Sequence, residues 1–262
     1  MPVLKPIRGI RLNKSHPLTR GLVGCWLFNE GSGNKVYDLS GNGNDAIEQQ
    51  DSVWQAGKFG SSRYFSGNDY LVTAASDSLT CVSGTILVWF RTTNASYDWF
   101  LDLWVDVHNR MSFIINSAGS SMWLYGREGG ATRINFNDGT AVNDGIYHQC
   151  VATWGVEGSR IYRDGVELAN SLGTDHTLVW WGPPEMYIGL DGAQSAYFST
   201  GNIDHVLLFN RALSASEIAL LYREPFCMFE RDPIELWSAA TLGAIPTGMA
   251  GAMTTNTRYW GW

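Results

Sequence analysis

The sequence predicts an all-β protein: a two-sheet antiparallel β-sandwich of the jelly-roll kind with one short C-terminal helix. Three observations predict it. Short apolar runs recur along the chain with turn residues between them. Glycine, 29 of 262 residues, punctuates those turns. Only one segment, beginning near Ser214, carries the start signals of a helix.

In chain order, residues 1–20 read as an extended arm, because Pro2, Pro6 and Pro17 discourage regular structure. The sandwich domain is expected over 21–224. Its first strand, Leu22–Phe28, stops at Glu30 and is followed by a turn-forming, oxygen-rich segment up to Asn44. Further strands are expected at Tyr70–Thr73, Thr85–Arg91, Trp99–His108, Met111–Asn116, Met122–Tyr125, Tyr147–Trp154, Arg160–Arg163, Glu185–Leu190 and Asn202–Asn210. Asp164-Gly165 is a hairpin signal. Asn137-Asp138-Gly139 and Asn143-Asp144-Gly145 read as turns. Ser214 and Glu217 form a capping box, Ile218, Leu221 and Tyr222 follow on one helical face, and Pro225 stops the helix. Residues 225–262 form an Ala/Gly/Thr-rich tail ending in Tyr-Trp-Gly-Trp, whose apolar end favours docking on its own domain or a neighbour.

Bulk composition bounds the function. The net charge is −7, which argues against a nucleic-acid partner, since phosphate binding needs clustered Lys and Arg. No run of about 18 apolar residues suggests membrane insertion. The N-terminus lacks the apolar core of a secretory signal, so the expected location is cytoplasmic, or outside by a non-Sec route such as release in an assembled particle. Cys25, Cys81, Cys150 and Cys227 fit no metal-ligand spacing and read as thiols rather than disulfides.

Four motifs, in order, resemble the laminin-G-like, concanavalin A-like lectin/glucanase superfamily. They are Trp26 with Glu30–Gly33 and Asp38–Asn44; Gly57–Gly60 with Tyr64–Gly67 and Asp69–Leu71; Tyr147–Trp154 with Ile161–Gly165; and Gly201–Val206 with Phe209–Ser214. The resemblance covers about Gly21 to Arg223. It implies one convex and one concave sheet, with ligands on the concave face or at a loop edge. Arm and tail resemble those of standalone domains encoded among bacteriophage structural genes. That implies a virion surface or decoration protein, which would grip virion proteins or further copies of itself.

Candidate sites follow. The resemblance implies a structural Ca2+ held by Glu30 and Asp204, with Asp38 or Asn42 adding an oxygen; calcium takes about six to eight oxygen ligands. The alternative pairs Asp204 with an Arg or has it cap backbone amides, and leaves Asp38 making an Asx turn. Alternation places Phe100, Asp102, Trp104, Asp106 and His108 on one strand face, a composition suited to a glycan or cell-surface polysaccharide, and Leu101, Leu103, Val105 and Val107 on a core face. The alternative is an ordinary solvated face. Trp180 and Trp181, before Gly182-Pro183-Pro184, either present indoles to a ligand or plug the end of the sandwich. Catalysis is not expected. The Glu-x-Asp-x-x-Glu run of the glucanase branch is missing, and Asp102 and Asp106 lie about 13 Å apart along a strand. An enzyme drawing its carboxylates from different strands, a glycoside hydrolase or lyase, is the remaining alternative.

Overall fold

A computed structural model describes residues 3–116, 121–171, 174–180, 182–194 and 197–230. All but Glu230 belong to one compact unit, Met1–Phe229. The tail and its terminal aromatics, 231–262, lie outside the described residues, as does Trp181.

The strands run β1 (Leu22–Trp26), β2 (Lys35–Val36), β3 (Ala46–Gln49), β4 (Val53–Ala56), β5 (Ser61–Ser66), β6 (Tyr70–Thr73), β7 (Gly84–Arg91) and β8 (Asp98–Asp106). Then come β9 (Asn109–Ile115), β10 (Ser121–Glu128), β11 (Ala131–Ala141), β12 (His148–Trp154), β13 (Arg160–Arg163), β14 (Val166–Asn170), β15 (Glu185–Ile188) and β16 (Thr200–Phe209), followed by the helix α1 (Ala215–Arg223). They form two antiparallel sheets. The first has the order β14-β13-β12-β7-β16-β5-β4, with β1 also paired to β16; the second has the order β11-β10-β9-β8-β15-β6-β3-β2.

The inner faces meet in a core that includes Trp26, Phe65, Val88, Phe90, Phe100, Leu103, Phe113, Leu124, Trp154 and Val206. A second apolar cluster covers the outer face of the first sheet. There Leu87, Trp89, Val151 and Leu207 pack under Ile218 and Leu221 of α1, Leu18 of the arm, and Met228 and Phe229 beyond the helix. The arm is therefore part of the domain: Leu12 bridges Phe229, and Lys5 N donates to Phe59 O at 2.9 Å.

The helix forms as its signals dictate. The Ser214 hydroxyl accepts from Glu217 N while the Glu217 carboxylate accepts from Ser214 N, the reciprocal capping box. Asn137-Asp138-Gly139 departs from the turn expectation. It lies inside β11, where Trp123 pairs Asn137 and Ser121 pairs Ala141, so the extra residues are taken up by a bulge with Gly139 at φ +68°. The four cysteines are unpaired.

Candidate ligand-binding face

The expected calcium site is overturned. Among the described residues, no group of three or more His, Cys, Asp or Glu side chains is placed to hold a metal ion. The physical reason begins with a bulge. Ile203 pairs Phe90 and His205 pairs Trp89, so Asp204 is the extra residue of β16 and its side chain is re-aimed. Its carboxylate accepts from Lys58 N (2.6 Å), Phe59 N (3.2 Å) and His205 Nδ1 (2.9 Å), and pairs with Lys5 Nζ at 3.0 Å. Lys5 Nζ also donates to Asp204 O at 2.6 Å and to Ser61 O. The cation here is thus an ammonium from the arm.

Burial is the largest influence on both groups. It pulls the Lys5 ammonium below the usual lysine range. It pushes the Asp204 carboxyl up, but His205 and Lys5 outweigh it and leave that carboxyl below its usual range.

The other expected ligands are engaged locally. Glu30 Oε1 accepts from Tyr37 N, and Asn42 Nδ2 donates to Val23 O. Asp38 accepts from Cys25 N, Ser40 N, Ser40 Oγ and Asn44 N, which is the Asx-turn alternative with a tie to β1.

The second sheet's outer face differs from the first. Among the described residues, the helix and arm pack on the first sheet, while Gly192 and Tyr197 reach this face at Trp104 and Trp99. Bulges again decide what points where. Trp99 pairs Ile114 and Leu101 pairs Phe113, so Phe100 is an extra residue and turns into the core against Phe90, at 4.0 Å between ring centroids. Trp99, Asp102 and Trp104 share the outer face. A second shift lies between Trp104 and Asp106. β8 ends at Asp106, and Val107-His108 is the turn into β9. Val107 is consequently exposed, contrary to the expected core face, and Asp106 caps the turn by accepting from His108 N and Asn109 Nδ2.

Asp102 is fully buried and serves as an anchor. It pairs with Arg110 and accepts from Ser112 Oγ (2.8 Å) and from Gly192 N (2.8 Å). Burial pushes its carboxyl up to about 6 against the opposing pull of Arg110 and the hydrogen bonds. The Arg110 guanidinium lies over the Trp104 ring at 4.7 Å and the Trp99 ring at 5.5 Å. Half-buried Trp104 is thereby held between Arg110 and Gly192, where an added Cβ would stand 2.3 Å from its ring. Tyr197, exposed, stacks on Trp99 at 5.4 Å and meets Tyr97 edge-on at 5.5 Å.

Two strands away, half-buried Trp123 and Tyr125 meet at 5.4 Å, and Trp123 Nε1 donates to Asn135 Oδ1 at 2.8 Å. The structure therefore links Trp104 through Arg110 to Trp99, which stacks with Tyr197 beside Tyr97, and places Trp123 and Tyr125 as a separate pair on the same face. It leaves Asp106 and His108 at the strand end. Trp180 packs on the inter-sheet core and donates to Cys81 O at 3.1 Å, the plug alternative. Trp123 and Tyr125 went unnoticed as site residues, although the alternation Met122-Trp-Leu-Tyr125 puts both on the face opposite Met122 and Leu124.

This is a β-sandwich with one covered outer face and one aromatic, partly open outer face. The chain belongs to the concanavalin A-like lectin/glucanases superfamily, whose family model matches residues 65–219. Curated protein sequences give no match. Solved structures share the fold at low identity. Domain 4 of a GH43 extracellular arabinanase from Geobacillus stearothermophilus, solved with arabinotriose, matches with a TM-score of 0.65 at 12% identity, over 77% of this chain and 98% of that one. The binding domain of Paraclostridial Mosquitocidal Protein 1 matches with a TM-score of 0.63 at 16% identity, over 80% and 53%. Trypanosoma rangeli sialidase in complex with sialic acid matches with a TM-score of 0.58 at 17% identity, over 79% and 33%. The chain thus spans the arabinanase domain, about half of the toxin chain and a third of the sialidase chain.

Proposed function

We propose that this chain is a non-catalytic carbohydrate-recognition module that binds glycans on the outer face of its second sheet. One observation carries the reading: six aromatic rings, Tyr97, Trp99, Trp104, Trp123, Tyr125 and Tyr197, gather on the one outer face that helix and arm leave uncovered. An aromatic ring offers an apolar face to the C–H face of a sugar, and flanking polar groups fix its hydroxyls. The resemblance to a domain solved with arabinotriose is consistent with this.

Hydrolysis by the pair Asp102 and Asp106 finds no support. Glycosidases need two carboxylates facing the scissile bond. Asp102 is buried against Arg110, and Asp106 caps a turn. A gripping role for the arm in a virion or oligomer finds none either, because its anchors lie within its own domain.

The test is binding of the full chain to a polysaccharide panel by affinity electrophoresis, with Trp104→Ala and Trp123→Ala as variants and reducing-end release measured alongside. Retardation that both substitutions weaken, without release, supports the reading. A blank panel, or turnover of a bound polysaccharide, overturns it.

A further inference from the structure

Six aromatic rings on the second sheet's outer face form two platforms, apart from the stacked pair Tyr70 and Tyr187, and the strand register fixes the relation of the two. Trp123 on β10 pairs Ile114 on β9, which pairs Trp99 on β8. The two indoles therefore lie on one line across the strands, two strand spacings or about 10 Å apart. Trp104 on β8 pairs Arg110, two outer-face rows and about 13 Å along β9 from Ile114, so it extends the second platform in the strand direction. Between the platforms Ile114 is buried and contributes only the floor; Trp99 is buried too, so Tyr197, stacked on it, and Trp104 present the second platform's surface. One sugar ring covers one platform; a chain of several is needed to reach both.

The charges on this face define what kind of chain. Each described arginine there is already engaged. Arg110 pairs with Asp102, donates to Ser112 Oγ and lies between two indoles. Arg127 directs Nη1 to Val107 O and Nη2 to Gly130 O, both at 2.7 Å. Arg133 pairs with Glu128 at 3.2 Å. A carboxylated sugar is held by a fork of free N–H donors, and the described residues of this face leave no such fork disengaged. What the face does present is acceptors and amides: Asn135 and Asn137, both exposed, with Glu185 and Asp106 at its margin. These suit the hydroxyl donors of a neutral sugar, and the chain's net charge of −7 repels an acidic one at longer range.

We infer, resting on the glycan-binding reading above, that the ligand is an uncharged oligosaccharide chain that lies across the strands and contacts both platforms at once. The arrangement joins two weak stacking sites into one, so affinity depends on chain length more than on any single sugar contact.

The experiment is isothermal titration of the full chain with neutral oligosaccharides from one to six units (arabino-, gluco- and xylo-series), set beside sialyllactose and oligogalacturonates. In at least one neutral series, affinity should rise about tenfold or more between the monosaccharide and the tetrasaccharide. Trp123→Ala and Tyr125→Ala, on one platform, and Trp104→Ala, on the other, should each erase most of that rise with the melting temperature of the platform-one variants unchanged. An acidic oligosaccharide that binds tighter than every neutral one overturns the inference and leaves the glycan reading standing. So does a monosaccharide that binds as tightly as its tetramer. No binding by any series overturns both.

Discussion

Replacing Lys5 by Ala tests whether an arm lysine holds the place where a metal ion was expected. The Lys5 side chain is 3% exposed and that of Asp204 is fully buried. Removing one partner of a buried ion pair costs about 3–5 kcal/mol, because the remaining charge stays buried without compensation. Asp204 keeps three other donors, Lys58 N, Phe59 N and His205 Nδ1, which places the cost at the lower end, about 3 kcal/mol. For a domain of this size about 2–4 °C of melting temperature accompanies each kcal/mol, so the melt should fall by roughly 6–12 °C. Lys5→Met, which keeps the apolar stem, should lose nearly as much. Lys14→Ala, at an exposed position of the same arm, should lose almost nothing. The pH dependence has a definite sign. A carboxyl held below its ordinary range in the folded state adds stability above about pH 4, and that contribution fades as pH falls through its folded value. Lys5→Ala should therefore show its largest deficit near neutrality and a shrinking one in acid. Calorimetry across pH reads both. A Lys5→Ala melt within about 2 °C of the parent at pH 7 would refute the reasoning.

Two further outcomes follow from the aromatic face. Gly192→Ala puts a Cβ 2.3 Å from the Trp104 ring, which Arg110 also holds at 4.7 Å. It should cost about 1–3 kcal/mol by overpacking and weaken glycan binding with it; a variant with parental melt and affinity would show that the 191–194 loop yields freely. Asp102, raised to about 6 by burial, favours the folded state less once ionised, so the parent should lose stability as pH rises from about 4 to about 6 and level off above. Asp102→Asn should flatten that window in pH-dependent melts, and an unchanged slope between pH 4 and 6 would count against the assignment.

Much of the fold was legible because its signals are local. The capping box of Ser214 and Glu217, the Asp164-Gly165 turn and the alternation of β10 each depend on residues a few positions apart. Strands such as β4 and β11 were not, since β4 is only four residues long, the residues of β11 are mostly polar and read as loop, and only pairing makes them strands. In the candidate site, Trp104 and the carbohydrate-suited chemistry of β8 were visible. The company Trp104 keeps was not, because Arg110 joins it to Trp99 across the ladder, Tyr197 reaches Trp99 from a distant loop, and Trp123 is brought to the same face by pairing.

By itself, then, the sequence determined an all-β sandwich with a single late helix, since period-two apolar patterning and turn chemistry act over short range. Tertiary structure alone decided the direction of individual side chains. One bulge at Asp204 and another at Phe100 shift alternation by one residue, and a one-residue shift moves a side chain from one face to the other. Through the first, an arm lysine 199 residues away in the chain meets Asp204. Through the second, Phe100 leaves the outer face to the core, and the aromatic surface that remains is built around Trp99 and Trp104.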